Sequence, residues 1–227
     1  IETCGLENAK AIWDDSGMTA DSLCAAELFA GPDKLRQMLD WADQFGARTL
    51  VLITGGLESA PVDGDIAAAR QTLVPLLAAA GDLARPYNVQ LAFEPLHPMV
   101  CGLRSIVSSL GEALDLLDQL DDRSDIGLAI DAYALWWESD LAAKLARAGD
   151  RILNYHVSDW LADTNDLRLD RGMPGDGQIN LLEWRQMVEA AGYDGPVEVE
   201  IFSRDRWWKT TPESVVHTII ERLNLKY

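Results

Sequence analysis

Four short apolar runs in this chain each deliver a metal-ligating side chain at or near the C-terminal end. VQLAF runs into Glu94 and a proline-bounded turn carrying His97, IGLAI runs into Asp131, ILNYHVSDW holds His156, and PVEVEIF sets Glu200 near its end. Buried parallel strands are apolar almost throughout, so a charge at the end of one needs a reason. The separations of 37, 25 and 44 residues each leave room for a crossover helix and the return to a neighbouring parallel strand. Successive strands of a βα barrel bring side chains to one shared face in this way, and chemistry sits on that C-terminal face. Three carboxylates meeting one imidazole would repel without a cation, whereas a divalent ion accepts oxygen and nitrogen donors together. A lone strand-end acid is ordinarily a salt-bridge partner and a lone His156 an ordinary core histidine; four ligand types in register point jointly to a metal site.

Length and charge set the remaining bounds. A chain of 227 residues with 48% hydrophobic composition can bury one sizeable core, and no composition break marks a boundary, so residues 1–227 are expected to form a single barrel domain. A formal net charge of -18 without a basic cluster argues against nucleic acid and anionic membrane surfaces as partners. Cys4, Cys24 and Cys101 lack disulfide or redox spacing and fit reduced thiols, and no signal peptide or spanning run is seen, which together suggest a cytoplasmic protein.

In chain order, residues 5–16 predict a helix ending before Gly17, residues 21–29 a strand, and Asp33 to Phe45 an amphipathic helix closed by Gly46. Arg48 to Ile53 is a β-branched strand entering Thr54-Gly55-Gly56, glycines that suit a close backbone approach to a ligand or a tight turn. Residues 64–86 are helical, with a kink or fresh start at Pro75. Ser105 to Leu120, Asp140 to Ala148, Leu181 to Ala191 and Thr211 to Leu225 are the further expected helices. The stretch from Asp159 to Ile179, with Arg171 and a Gly/Pro-rich run, is too long for a mere connection and is expected to be functional. Six strands are counted where a closed barrel of this kind has eight, so one or two N-terminal βα units look shortened or missing, leaving a seam through which homo-oligomerisation is possible.

FEPLHP, IDAYALWW, HVSDW with DRGMPGDGQI, and EVEIFS followed by WW together resemble the sugar-phosphate isomerase/epimerase superfamily, the xylose-isomerase-like barrels. The resemblance runs from about Leu23 to the C-terminus. It implies a TIM-type barrel holding one divalent ion, commonly Mn, Mg or Co with Zn as a further option, through Glu94, Asp131, His156 and Glu200. In the family's ketose epimerases the two glutamates also move protons, which assigns catalysis to Glu94 and Glu200. His97, Trp137, Trp160 and Arg171 are the expected substrate contacts; Trp136, Trp137, Trp160, Trp207 and Trp208 all follow ligand-bearing strands, where they either rim a pocket or fill core.

The implied activity is isomerisation or epimerisation of a keto-sugar through a metal-stabilised enediolate. The same chemistry would serve a lyase or dehydratase acting on a keto-sugar, inosose or C-glycoside, and a non-catalytic sugar-binding barrel is the alternative of a different class. Related endonucleases use three zinc ions, for which His97 and His217 are too few additional histidines. Relatives often carry His three residues after the Asp ligand; here Ala134 stands there, an expected widening of the substrate pocket rather than a change in the metal.

Overall fold

A computed structural model describes all residues except Glu2, Asp121, Asp122 and Tyr227. The elements are α1 (Leu6–Ser16), β1 (Ser22–Glu27), α2 (Pro32–Phe45), β2 (Thr49–Ile53), α3 (Ile66–Gln71), α4 (Leu73–Ala84), β3 (Gln90–Phe93), α5 (Leu110–Leu117), β4 (Ile126–Asp131), α6 (Ala132–Leu135), α7 (Leu141–Ala148), β5 (Ile152–Val157), α8 (Leu181–Ala190), β6 (Val197–Val199) and α9 (Pro212–Lys226). The six strands form one parallel sheet in chain order. It is a TIM-type barrel sheet with six strands described, curled so that Ser22 Oγ on β1 donates to Glu198 Oε2 on β6 at 2.5 Å. No described helix is long and apolar enough to cross a membrane.

Local chemistry explains most of the helices. Pro32 opens α2, where its missing N–H is not needed. The helix buries Leu35, Met38, Leu39 and Ala42 along one stripe and stops at Gly46, whose φ of 69° is the left-handed cap that glycine tolerates best. Thr72 separates α3 from α4, so Pro75 falls in the first turn of α4, where its missing N–H costs no intrahelical bond. The fresh start at this proline is thus observed, two residues early, at Leu73.

One expected helix is shorter than its pattern. Residues 105–109 are not helical, although Ile106 and Leu110 fit the apolar spacing of the helix that follows. Tertiary bonds win: Ser105 bridges to Gly55, the Ile106 N–H donates to Thr54 Oγ1 (2.9 Å), and the Leu96 N–H donates to Val107 O (3.1 Å). Helix α5 starts only after Ser109, whose Oγ accepts from the Glu112 N–H at 3.0 Å. The same contacts decide the role of the glycines after β2. A Cβ on Gly56 would lie 2.2 Å from Gly102 O, so this close approach is to the chain's own backbone.

Apolar side chains divide between two faces. The large core lies between sheet and helices, and a small separate cluster of Val51, Ala92 and Ala129, with Ala25 and Leu153 against it, lies inside the curl. Ala92 and Ala129 each precede a predicted ligand by two residues and therefore share its face of the sheet. Small residues below leave the strand ends open as a cavity.

Candidate metal centre and substrate pocket

Backbone pairing holds all four predicted ligands at one end of the sheet. Glu94 follows β3, and its N–H still donates to Leu52 O (2.9 Å); Glu200 follows β6, and its N–H donates to Val157 O (3.1 Å). Asp131 and His156 are register partners across β4 and β5. Asp131, His156 and Glu94 are nearly inaccessible to solvent.

Ligand-capable atoms of Glu94, His156 and Glu200 lie within 4.8 Å of one another. Glu94 Oε1 and His156 Nδ1 are 3.3 Å apart, and neither they nor His156 Nε2 have a hydrogen-bond partner among the described residues. Buried polar atoms are normally satisfied, so an unpartnered Glu94 oxygen facing an unpartnered imidazole nitrogen, with Glu200 close by, fits a cation that two carboxylates and one ring nitrogen would share. Burial raises the Glu94 and Asp131 carboxyls above their usual range. Burial pulls His156 down, but the carboxylate of Glu94, followed by those of Glu200 and Asp131, outweighs it and lifts the imidazole to about 9.

Asp131 is engaged differently. Its Oδ1 accepts from the Tyr133 N–H (2.9 Å) and its Oδ2 from Arg171 Nη1 (3.1 Å). The same nitrogen reaches Glu200 Oε2 at 2.9 Å, so the guanidinium bridges two of the four predicted ligands. Arg171 is itself buried, with the Tyr133 and Phe202 rings 4.4 and 5.1 Å from its guanidinium carbon. A buried carboxylate requires a counter-charge, and here arginine supplies it.

The long loop carries Arg171 on an acidic clamp. Buried Asp159 accepts from the backbone N–H groups of Trp160, Gly175, Gly177 and Ile179 at 2.8–3.0 Å. The Arg171 N–H donates to Phe202 O at 2.9 Å, tying the loop to the segment after β6.

Above the ligands opens a cavity of about 450 Å³ whose lining includes Glu94, His97, Ala134, Arg171, Glu200 and Phe202. A groove of about 590 Å³ beside α7 and α8 contains none of the predicted ligands. His97 Nδ1 accepts from the Met99 N–H (3.2 Å), which assigns the ring hydrogen to Nε2, and burial lowers its pKa, keeping it neutral. Trp160 and Trp137 are not in the lining. Trp160 stacks behind it on Tyr133, His97 and Trp136 at 5.0–5.6 Å, while Trp137, 42% exposed, gives its indole N–H to Ala134 O (2.7 Å). Trp207 and Trp208 are also tied down, to Asp176 and Ile201 O.

Glu198 was not among the expected site residues. It accepts from Ser22 Oγ and Asn154 Nδ2 (2.8 Å) and lies 3.9 Å from His156 Nε2. Its signal was present in PVEVEIF, because period two places Glu198 and Glu200 on one face.

A family profile described as xylose isomerase-like TIM barrel matches residues 18–222. Inosose isomerase of Bacillus subtilis (strain 168) is 25% identical over 193 residues, 82% of this chain and 64% of that protein. The chain spans less than two thirds of the length of the curated relatives it matches first. Among solved structures, protein SMc04130 from Sinorhizobium meliloti 1021 is 41% identical with a TM-score of 0.89, covering 99% of this chain and 84% of that one. The IOLI protein with a binding zinc atom aligns at 20% identity and a TM-score of 0.79, over 96% of this chain and 80% of that one, a likeness of fold.

Proposed function

Because the chain belongs to the xylose isomerase-like TIM barrel family, we propose that it is a divalent-metal-dependent isomerase or epimerase acting on a keto-sugar or inosose. The observation that carries this reading is the meeting of Glu94, His156 and Glu200 within 4.8 Å beside a cavity large enough for a sugar. The name of the Bacillus subtilis relative supports the inosose arm, and the zinc named with the IOLI structure supports a divalent ion.

Glu94, His156 and Glu200 would hold the ion, with Asp131 as the fourth candidate now paired to Arg171. A divalent ion bound there supplies positive charge that polarises a substrate carbonyl and acidifies the adjacent C–H. Glu94 and Glu200 come from different strand ends, one to take the proton and the other to return it. Return to the opposite face of the same carbon inverts it, and return to the neighbouring carbon isomerises. His97, with hydrogen on Nε2, can donate to a substrate oxygen, and Ala134 adds only a methyl group to the same lining. Arg171 orients Glu200 through their 2.9 Å bond. Each positioned acid or base typically contributes ~10²–10⁴-fold.

Solvent-deuterium incorporation into a panel of keto-sugars and inososes, with Mn, Mg, Co or Zn added, tests the reading. Incorporation should require the ion and fall by roughly 10²-fold or more in Glu94→Gln and in Glu200→Gln, with metal content changing less. Absence of incorporation across the panel, or equal mild losses in both variants, would sink it.

A further inference from the structure

The chain has 37 acidic residues against 19 Lys and Arg, and its arginines are almost fully committed. Of its 14 arginines, 13 lie within 4.0 Å of a carboxylate among the described residues. Arg168 is the exception. Its guanidinium has no hydrogen bond or ion pair among the described residues, and it is one of the residues lining the cavity above Glu94 and Glu200.

Its backbone, by contrast, is firmly held. Asp166 Oδ1 accepts from the N–H groups of Arg168 and Leu169 at 3.0 and 3.1 Å. Tyr133 Oη donates to Leu167 O (2.9 Å), and the Arg204 N–H donates to Leu169 O (2.8 Å). Asp166 is thus occupied with the turn, and its other oxygen faces Arg204 Nη2 at 3.5 Å. A fixed turn presents an unpaired cation at the wall of the substrate cavity.

Charge is distributed unevenly around that cavity. Glu94 and Glu200 lie where the proposed chemistry occurs, and Asp131 is beside them; Arg104, already bonded to Glu27 at 2.7 Å, and exposed Arg168 supply further cationic lining. An anionic group on a substrate is repelled by the three carboxylates and attracted to Arg168, whose guanidinium has no hydrogen bond or ion pair within 4.0 Å among the described residues and interacts with Asp166 only at longer range. A guanidinium meets a carboxylate or phosphate through paired N–H donors.

We propose that Arg168 is a specificity-determining residue that binds an anionic substituent, carboxylate or phosphate, on the end of the substrate away from the reacting carbons. The proposal rests on the isomerase/epimerase reading and narrows its substrate class to acidic keto-sugars or cyclitol derivatives. Binding through that end also orients the molecule, because the uncharged carbonyl end is the one left to approach Glu94 and Glu200.

Calorimetric binding of D-fructose, D-fructose 6-phosphate and D-fructuronate to the metal-loaded protein tests this. At least one anionic sugar should bind about threefold to tenfold more tightly than fructose, the range expected of a partly exposed charge pair, and added salt should erode the preference. Arg168→Gln should bring the ratio close to one, while Arg168→Lys should keep part of it. Phosphate and carboxylate arms separate the two anion sources. Equal binding of all three sugars by the parent protein, or a preference that survives Arg168→Gln, overturns the assignment. Deuterium exchange is scored separately on the same three sugars and on the wider panel. A binding preference lost in Arg168→Gln without exchange on any compound would count against the isomerase/epimerase reading, not against the anion contact.

Discussion

At the scale of single residues, His156 gives the sharpest pH signature. Its imidazole holds a proton up to about pH 9 in the metal-free fold, against 6.5 for an ordinary histidine. A proton bound more tightly when folded stabilises the fold fully below the unfolded value and ceases to do so as pH rises through the folded one. Metal-free protein should therefore lose about 3 kcal/mol between pH 6.5 and 9, an upper figure for a buried group, as read by urea denaturation. Glu94→Gln, which removes the closest carboxylate, should flatten that slope; an unchanged slope would show that the pair is not its origin. Because a metal ligand must be deprotonated, binding of the ion near pH 7 should also release a proton. The gathering of Glu94, Asp131, His156 and Glu200 at one end of the sheet was legible in the sequence because each is a charge or imidazole in an otherwise apolar run. The pairing of Asp131 with Arg171 was not, since 40 residues separate them and the position of Arg171 depends on how a glycine-rich loop folds back.

At the scale of elements, one carboxylate gathers both ends of the segment from Trp160 to Ile179. Asp159 satisfies four backbone donors, and Asp159→Ala would leave them without their acceptor inside the fold. The expected cost is about 3 kcal/mol or more, with faster amide exchange concentrated in residues 160–179 and weaker substrate binding as Arg171 loses support from its neighbours. Exchange that rises uniformly across the chain would instead indicate general destabilisation. Helix positions were legible from apolar spacing and from glycine stops such as Gly46, but the start of α5 was not. Thr54 and Gly55 claim residues 105 and 106 from another part of the chain, and no local pattern announces such competition. The bulge that places Leu153 beside Ala129 in the interior cluster was equally silent, because strand periodicity assumes unbroken pairing.

At the scale of the whole molecule, consecutive parallel strands were the most legible property, since each βα repeat writes its own apolar strand and amphipathic helix. The bond between Ser22 and Glu198 was not, because it joins the first and last strands described. Cooperative unfolding should report the ion as well as the fold. At a thousandfold excess over Kd, one ion should add about 4 kcal/mol, raising Tm, and a chelator should reverse the gain. A melting curve indifferent to both would remove the ion from Glu94, His156 and Glu200. The guanidinium bridge to Asp131 and Glu200 gives this linkage a second side. Arginine and a divalent ion would draw on the same negative charge, so each weakens the other's hold, and thermodynamic reciprocity makes the two penalties equal. The loop would then act as a competitor for the ion built into the chain: an ion held by Glu200 should weaken the Arg171 contact, and amide exchange in residues 160–179 should rise on metal loading.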